Sequence, residues 1–199
     1  MSARGLVLGK FMPPHAGHRY LIDFARCNTS ELAVVVGTLA REPIAGTLRF
    51  AWMQSLYPDL TVLHLQDENP QEPADHPEFW DIWRISLQRI LPWQLDTVFA
   101  SEHYGQRLAD ELGARFVPVD IERTHVPISA TKIRSDPFGN WQYLPACVRA
   151  YYALRVCVFG PESTGKTTLA TALARYLRTT MVPEYARTYL ERRGGELRE

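Results

Sequence analysis

Two short stretches of this 199-residue chain collect residue types that handle phosphate. The first is Gly9-Lys10-Phe11-Met12-Pro13-Pro14-His15-Ala16-Gly17-His18, in which His-x-Gly-His follows an apolar run and precedes an amphipathic one. Between a strand end and a helix start, backbone N–H groups converge on an anion and the helix dipole favours it. Two imidazoles three residues apart can reach one triphosphate, and Gly17 lets the backbone come close. Further along, Ile128-Ser129-Ala130-Thr131-Lys132-Ile133-Arg134 sets a candidate N-cap, Ser129, ahead of Arg134. It offers N–H groups, the hydroxyls of Ser129 and Thr131, and the cations Lys132 and Arg134 to phosphate oxygens. The second stretch, Gly160-Pro161-Glu162-Ser163-Thr164-Gly165-Lys166-Thr167, matches G-x-x-x-x-G-K-[ST] in full and runs into Thr168 and a helical pattern. In such a loop the backbone cradles phosphates, Lys166 reaches the β- and γ-phosphates, and Thr167 ligates Mg²⁺.

A phosphate-transfer site also needs an acceptor. Arg41, after the apolar run LAVVVG, and Arg49, in the helix opened by Thr47, are placed to meet phosphate at strand ends. Trp80 and Trp83 stand one helical turn apart on one face, where indoles either pack into a core or hold a flat cationic ring. Ser101 and Glu102 end a late strand and are placed to contact adenosine. His64, His76, His103 and His125 read as ordinary surface or core residues. No Cys or carboxylate stands beside the histidine pair at metal-ligand spacing.

The elements that must position these groups alternate strand and helix. Strands are predicted at Gly5–Leu8, Leu32–Gly37, Thr61–Leu65, Asp96–Ala100 and Arg115–Val119, with helices at Gly17–Arg26, Thr47–Tyr57, Pro77–Leu91 and Gln106–Leu112. That alternation predicts an α/β, Rossmann-like parallel sheet with helices on both faces and ligands outside the carboxyl ends of the strands. A new strand, Arg155–Phe159, then leads into the glycine loop and a helix at Thr168–Leu177. The division expected is a first domain over 1–140, a connector over 141–153, and a partial P-loop α/β unit over 154–199. An unpaired strand edge in that unit makes self-association through 154–199 an expectation.

Composition narrows the function class. Lys+Arg and Asp+Glu both number 22, so nothing in the net charge calls for nucleic acid. No apolar run reaches the length of a membrane span, and the first ten residues lack the pattern of a secretion signal. Three cysteines without Cys-x-x-Cys spacing fit reduced thiols and a cytoplasmic setting.

The first strand, the His15–His18 segment and ISATKIR together resemble the nucleotidyltransferase superfamily that includes nicotinamide mononucleotide (NMN) adenylyltransferases. Its second signature is usually Ile-Ser-Ser-Thr-x-x-Arg; here Ala130 stands in place of the middle Ser. The resemblance implies that a phosphate of the acceptor attacks the α-phosphorus of ATP in line and pyrophosphate leaves. It implies that His15 and His18 donate to the triphosphate, that Ser129 and Arg134 hold its β- and γ-phosphates with Lys10 close by, and that Mg²⁺ neutralises the leaving group. Gly9, Phe11, Gly17, Ser101, Glu102, Thr131 and Lys132 complete the expected ATP site, and Arg41, Arg49, Trp80 and Trp83 the expected NMN site. An adenylyltransferase followed by a P-loop is similar to the bifunctional NadR-type family, whose second domain is a ribosylnicotinamide kinase; Val182–Arg187 resembles the segment after that kinase's first helix. The partners implied are small molecules, NMN and ATP, with neither nucleic acid nor membrane. No helix-turn-helix precedes the first strand and no later strand supplies a second carboxylate, so neither repressor activity nor kinase activity is expected of this chain alone. Transfer to another phosphorylated acceptor and a nucleotide-sensing module are the competing readings.

Overall fold

The computed structural model describes residues 3–183 and 185, and the chain divides into two units, Met1–Ala153 and Leu154–Glu199. The first unit alternates β1 (Arg4–Gly9), α1 (Ala16–Cys27), β2 (Glu31–Gly37), α2 (Gly46–Leu56), β3 (Thr61–Leu65), α3 (Phe79–Ile90), β4 (Thr97–Ala100), α4 (Tyr104–Leu112), β5 (Arg115–Pro118), α5 (Ala130–Ser135) and α6 (Ala146–Tyr152). All four strand pairings are parallel, in the order β3-β2-β1-β4-β5. Successive strand residues face opposite sides of a sheet, and both sides are covered, so β2 reads as an unbroken apolar run. Val7, Val34 and Val36 pack under α1 and α2 against Ile22, Ala25 and Met53. Their neighbours Leu6, Ala33 and Val35 pack on the other side under α3 and α4 against Leu87 and Leu108.

The strand order reverses between β1 and β4, so the segments leaving those two strands diverge and open a crevice at their carboxyl ends. The segment after β1 carries the two histidines, and the one after β4 carries Ser101 and Glu102. β4 begins one residue later than predicted because Asp96 serves as a clasp: its carboxylate accepts from the Arg4 N–H at 2.8 Å. The 141–153 segment is not a free connector. Leu144 and Val148 are buried with Ile44, Trp52, Ile128 and Ile133 in a third apolar cluster, which ties α6 to the first unit.

The second unit holds the glycine loop and α7 (Lys166–Tyr176). The predicted strand Arg155–Phe159 is not formed: a strand needs a neighbour, and among the described residues this stretch joins no sheet and leaves Val156 and Phe159 largely exposed. Among the described residues of this unit, loop and helix are formed and no strand is, so Arg155–Phe159 offers no strand edge of the kind invoked for self-association. Glu184, Ala186 and Arg187 of the Val182–Arg187 segment lie outside the described residues. No helix among the described residues is long and apolar enough to cross a membrane.

Candidate active site

A cavity of about 740 Å³ opens at the carboxyl ends of β1 and β4. His15 begins it. It is the N-cap of α1, and its Nδ1 accepts from the backbone N–H of Gly17 at 3.1 Å and of His18 at 3.3 Å. That fixes the neutral tautomer with hydrogen on Nε2, the atom left free to donate. A Cβ on Gly17 would stand 3.0 Å from the His15 ring and crowd the imidazole that caps the helix. His18 stacks on His15 with ring centroids 3.7 Å apart, and Phe11 meets it edge-on at 4.9 Å. Burial and the Arg123 cation push the His15 pKa down to about 4; burial, His15 and Arg123 push that of His18 well below its usual value. At neutral pH both rings are uncharged N–H donors.

Cations line the same cavity. Arg134 donates to the Met12 carbonyl at 2.6 Å and to the Thr131 hydroxyl at 3.1 Å, which joins α5 to the loop after β1. The Ser129 hydroxyl oxygen caps α5 by accepting from the Lys132 N–H at 3.2 Å, leaving its hydrogen to donate elsewhere. Lys10 lies 3.2 Å from Glu42, and its side chain is half exposed at the cavity. Gly9, Phe11, Gly17, Ser101, Glu102 and Thr131 also line the cavity, together with Trp80 and Trp83.

The two tryptophans stand between the sheet core and the cavity, packing on the one and lining the other. Trp83 is held by an Nε1–H···O bond to Pro70 at 2.9 Å, and Trp80 carries Arg107 over its ring. Asp67 and Glu72, from the same β3–α3 segment, line this side. The cavity thus joins a cationic wall to an aromatic wall with carboxylates.

Three expected ligands stand elsewhere. Arg49 is fully buried: it donates to the Ile44 carbonyl at 3.0 Å and the Lys10 carbonyl at 2.6 Å and pairs with Glu42. Burial pushes the Glu42 carboxyl up, but the Leu39 N–H and Arg49 outweigh it and hold it below its ordinary value. Arg49 is a staple beneath the loop after β1, because its guanidinium is spent on carbonyls and one carboxylate. Arg41 and Lys132 are exposed and outside the cavity.

Sequence reading passed over Arg123, Asp120 and Tyr104 and took His103 for an ordinary surface or core residue; all four line the cavity. Arg123 follows β5 as Arg41 follows β2, so the same strand-end logic could have found it. Tyr104 ties the β4–α4 turn to β1 by donating to the Leu8 carbonyl at 3.0 Å.

In the second unit the loop has the backbone its motif requires. Gly165 has φ +81, the left-handed region that favours glycine, and immediately precedes α7; Ser163 has φ +62. Lys166 Nζ donates to the Pro161 carbonyl at 2.6 Å, and the Thr164 hydroxyl donates to the same oxygen at 2.8 Å. Gly160, Glu162, Thr167 and Thr168 complete the loop and the first turn of the helix. Thr167 is exposed at that turn.

The AAA domain family matches residues 155–199. The trifunctional NAD biosynthesis/regulator protein NadR of Escherichia coli (strain K12) is 32% identical over 204 residues, covering 94% of this chain and 49% of that protein. A crystal structure of NadR protein in complex with NR superposes with a TM-score of 0.77 at 27% identity, covering 97% of this chain and 57% of that one. This chain is similar to NadR over nearly its whole length. It spans about half the length of the NadR proteins it matches. A nicotinamide-nucleotide adenylyltransferase of Thermococcus onnurineus (strain NA1) is 25% identical over 139 residues, covering 67% of this chain and 72% of that protein. Similarity to NadR thus covers 94% of this chain, and similarity to the Thermococcus adenylyltransferase covers 67% of it.

Proposed function

We propose that the first unit transfers the adenylyl group of ATP to NMN, giving NAD and pyrophosphate. The observation that carries this reading is the neutral, stacked His15–His18 pair beside Arg134 and Ser129, all lining one cavity at the carboxyl ends of parallel strands. A phosphate oxygen of NMN attacks the α-phosphorus of ATP, the bond from that phosphorus to the bridging oxygen breaks, and pyrophosphate departs with the electron pair. The attacking phosphate is already ionised, so the protein need not take a proton. Its work is positioning and charge stabilisation. His15 and His18 donate N–H bonds to the triphosphate, Arg134 and Ser129 hold the departing phosphates, and Lys10 and Arg123 complete the cationic wall. Gly9, Phe11 and Gly17 shape the ATP loop, with Thr131 beside Arg134 and Ser101 and Glu102 toward adenosine.

The acceptor side supports NMN. Trp80 and Trp83 offer indole faces to a flat pyridinium, and Asp67 and Glu72 favour a cation there. Among the described residues no three His, Cys, Asp or Glu side chains converge to hold a metal. The residues present therefore suit an ion carried by ATP itself. Mg²⁺ so bound supplies charge neutralisation at the pyrophosphate.

In the second unit we read the Gly160–Thr168 loop as the nucleotide-phosphate site of a ribosylnicotinamide kinase half. The order of the two units and the AAA match support this. With nucleotide bound, Lys166 would turn from the Pro161 carbonyl to the β- and γ-phosphates and Thr167 would help hold their ion. Free Cys27, Cys147 and Cys157 fit a reducing cytoplasm.

The test is pyrophosphate release from ATP with NMN, phosphopantetheine or glycerol 3-phosphate as separate acceptors. Release with NMN alone and NAD as product is the expected result. Release with another acceptor overturns the choice of NMN, and release with none overturns the transfer reading.

A further inference from the structure

The loop that follows β5 has an unusual internal support. The Asp120 carboxylate is almost fully buried and accepts from five donors. Oδ1 takes the Thr124 N–H at 2.8 Å, the Thr124 hydroxyl at 3.1 Å, the His125 N–H at 3.1 Å and the His125 ring Nδ1 at 3.1 Å. Oδ2 takes the Val126 N–H at 3.1 Å. The Asp120 carbonyl accepts the Arg123 N–H at 2.8 Å. Both ends of this turn, Asp120 with φ +50 and Arg123 with φ +52, lie in the left-handed region that residues with a side chain avoid. A backbone so placed persists only where the surroundings over-determine it, and here the carboxylate does so. Behind it, Tyr20 of α1 stacks on the His125 ring at 5.4 Å and 15°. The helix that carries His18 therefore buttresses the loop that carries Arg123.

Arg123 itself has little holding its head. Its guanidinium pairs with Glu102 at 3.4 Å, with both side chains largely exposed at the cavity. Its approach to the histidines is set by its backbone. We propose that Asp120 is the positioning residue that aims Arg123 at the triphosphate beside His15 and His18, and so governs ATP binding without touching ATP. This rests on the reading of the cavity as an adenylyl-transfer site. The Asp120 oxygens are occupied by five donors, so the carboxylate acts through the loop it shapes.

The test is a double-mutant cycle in the full chain carrying Lys166→Ala, which silences the P-loop as a second ATP site. ATP binding is read by calorimetry and KM for ATP and NMN by steady-state rates. Arg123→Ala is expected to weaken ATP binding about tenfold, the loss of one charge-assisted contact. Asp120→Asn, which keeps the shape but removes acceptor capacity, is expected to do nearly the same and to leave KM for NMN within about twofold. In the Arg123→Ala background, Asp120→Asn should add less than about twofold, since its route is already cut. Multiplying effects, an equal rise in KM for NMN, or unchanged ATP affinity in Asp120→Asn overturns the proposal. If Asp120→Asn does not fold, His125→Ala runs the same cycle with a smaller change in the same direction, and independence of Arg123 overturns it again. A chain that binds ATP but makes no NAD sinks the transfer reading alone, because the binding cycle still decides Asp120. A Lys166→Ala chain that binds no ATP sinks both.

Discussion

The two phosphate loops of this chain are built on different principles. In the second unit, the described contacts of the Gly160–Thr168 loop are local: Lys166 and Thr164 both donate to Pro161, and Gly165 supplies one left-handed residue. In the first unit, the loop after β1 is held from far along the chain. Arg49 grips the Lys10 carbonyl from 39 residues away, and Arg134 grips the Met12 carbonyl from 122. Phe11, 1% exposed, sits under Gly9 with φ +46. A loop that only cradles a phosphate can be specified by its own backbone. Under the transfer we propose, the first loop must set two side-chain donors against a reacting phosphorus, and that needs an outside frame.

The largest expected effect tests that frame. Arg49→Met leaves the nearly buried Glu42 carboxylate with only the half-exposed Lys10 and the Leu39 N–H, and breaking a buried pair costs up to about 3–5 kcal/mol. Urea unfolding should show that loss in the first unit's transition; an unshifted midpoint would mean the long-range staple is idle. Next comes the donor pair. His18→Ala should lower kcat for NAD formation by about 10²–10³, the usual result of removing one preorganised donor, while ATP still binds. Retained turnover would take the chemistry away from the first loop.

The histidines also make the two units differ with pH. All six lie in the first unit. The His15 pKa falls from 6.5 to about 4 on folding, through burial and then Arg123. Between those values the unfolded chain binds a proton that the folded chain refuses. Stability is therefore undiminished above pH 6.5 and is lost as pH falls toward 4. His15 alone accounts for about 2 kcal/mol between pH 7 and pH 5, and His18 adds in the same direction. His15→Gln should flatten this slope for the first unit. A slope untouched by that change would place the titration elsewhere.

The same division between local and distant contacts explains what could be read from the residues alone. The parallel order of elements was legible because each strand is a short apolar run and each helix a periodic one; β3 falls at Thr61–Leu65, as predicted. His15, Gly17 and His18 were legible because their interplay spans three residues. Arg49 was not: an arginine near a strand end looks like a phosphate ligand until the carbonyls of Ile44 and Lys10 are seen to occupy it. Arg123 was missed for the converse reason, since its aim is set by Asp120 and by Tyr20 stacked on His125, 105 positions apart in sequence yet 5.4 Å apart in space. Gly17 was read as letting the backbone approach a phosphate; the group a side chain there would crowd is the His15 ring. The strand at Arg155–Phe159 was over-read, because propensity cannot supply the neighbour that a strand must bond.

The smallest expected effect sharpens the contrast most. Lys166→Ala removes a partly exposed side chain whose described hydrogen bond stays inside its own loop, so the change in stability should stay within about 0.5 kcal/mol. NAD formation should change by less than about twofold, because no group of the first cavity is altered. ATP binding should nevertheless fall from two sites to one, since a P-loop without its lysine loses the cation that reaches the β- and γ-phosphates. Calorimetric stoichiometry measured beside the transfer rate separates the cases. One site lost with transfer intact means that each loop serves its own nucleotide. Transfer lost together with the site would show that the locally built loop is coupled to the framed one, and the two principles would then describe halves of a single device.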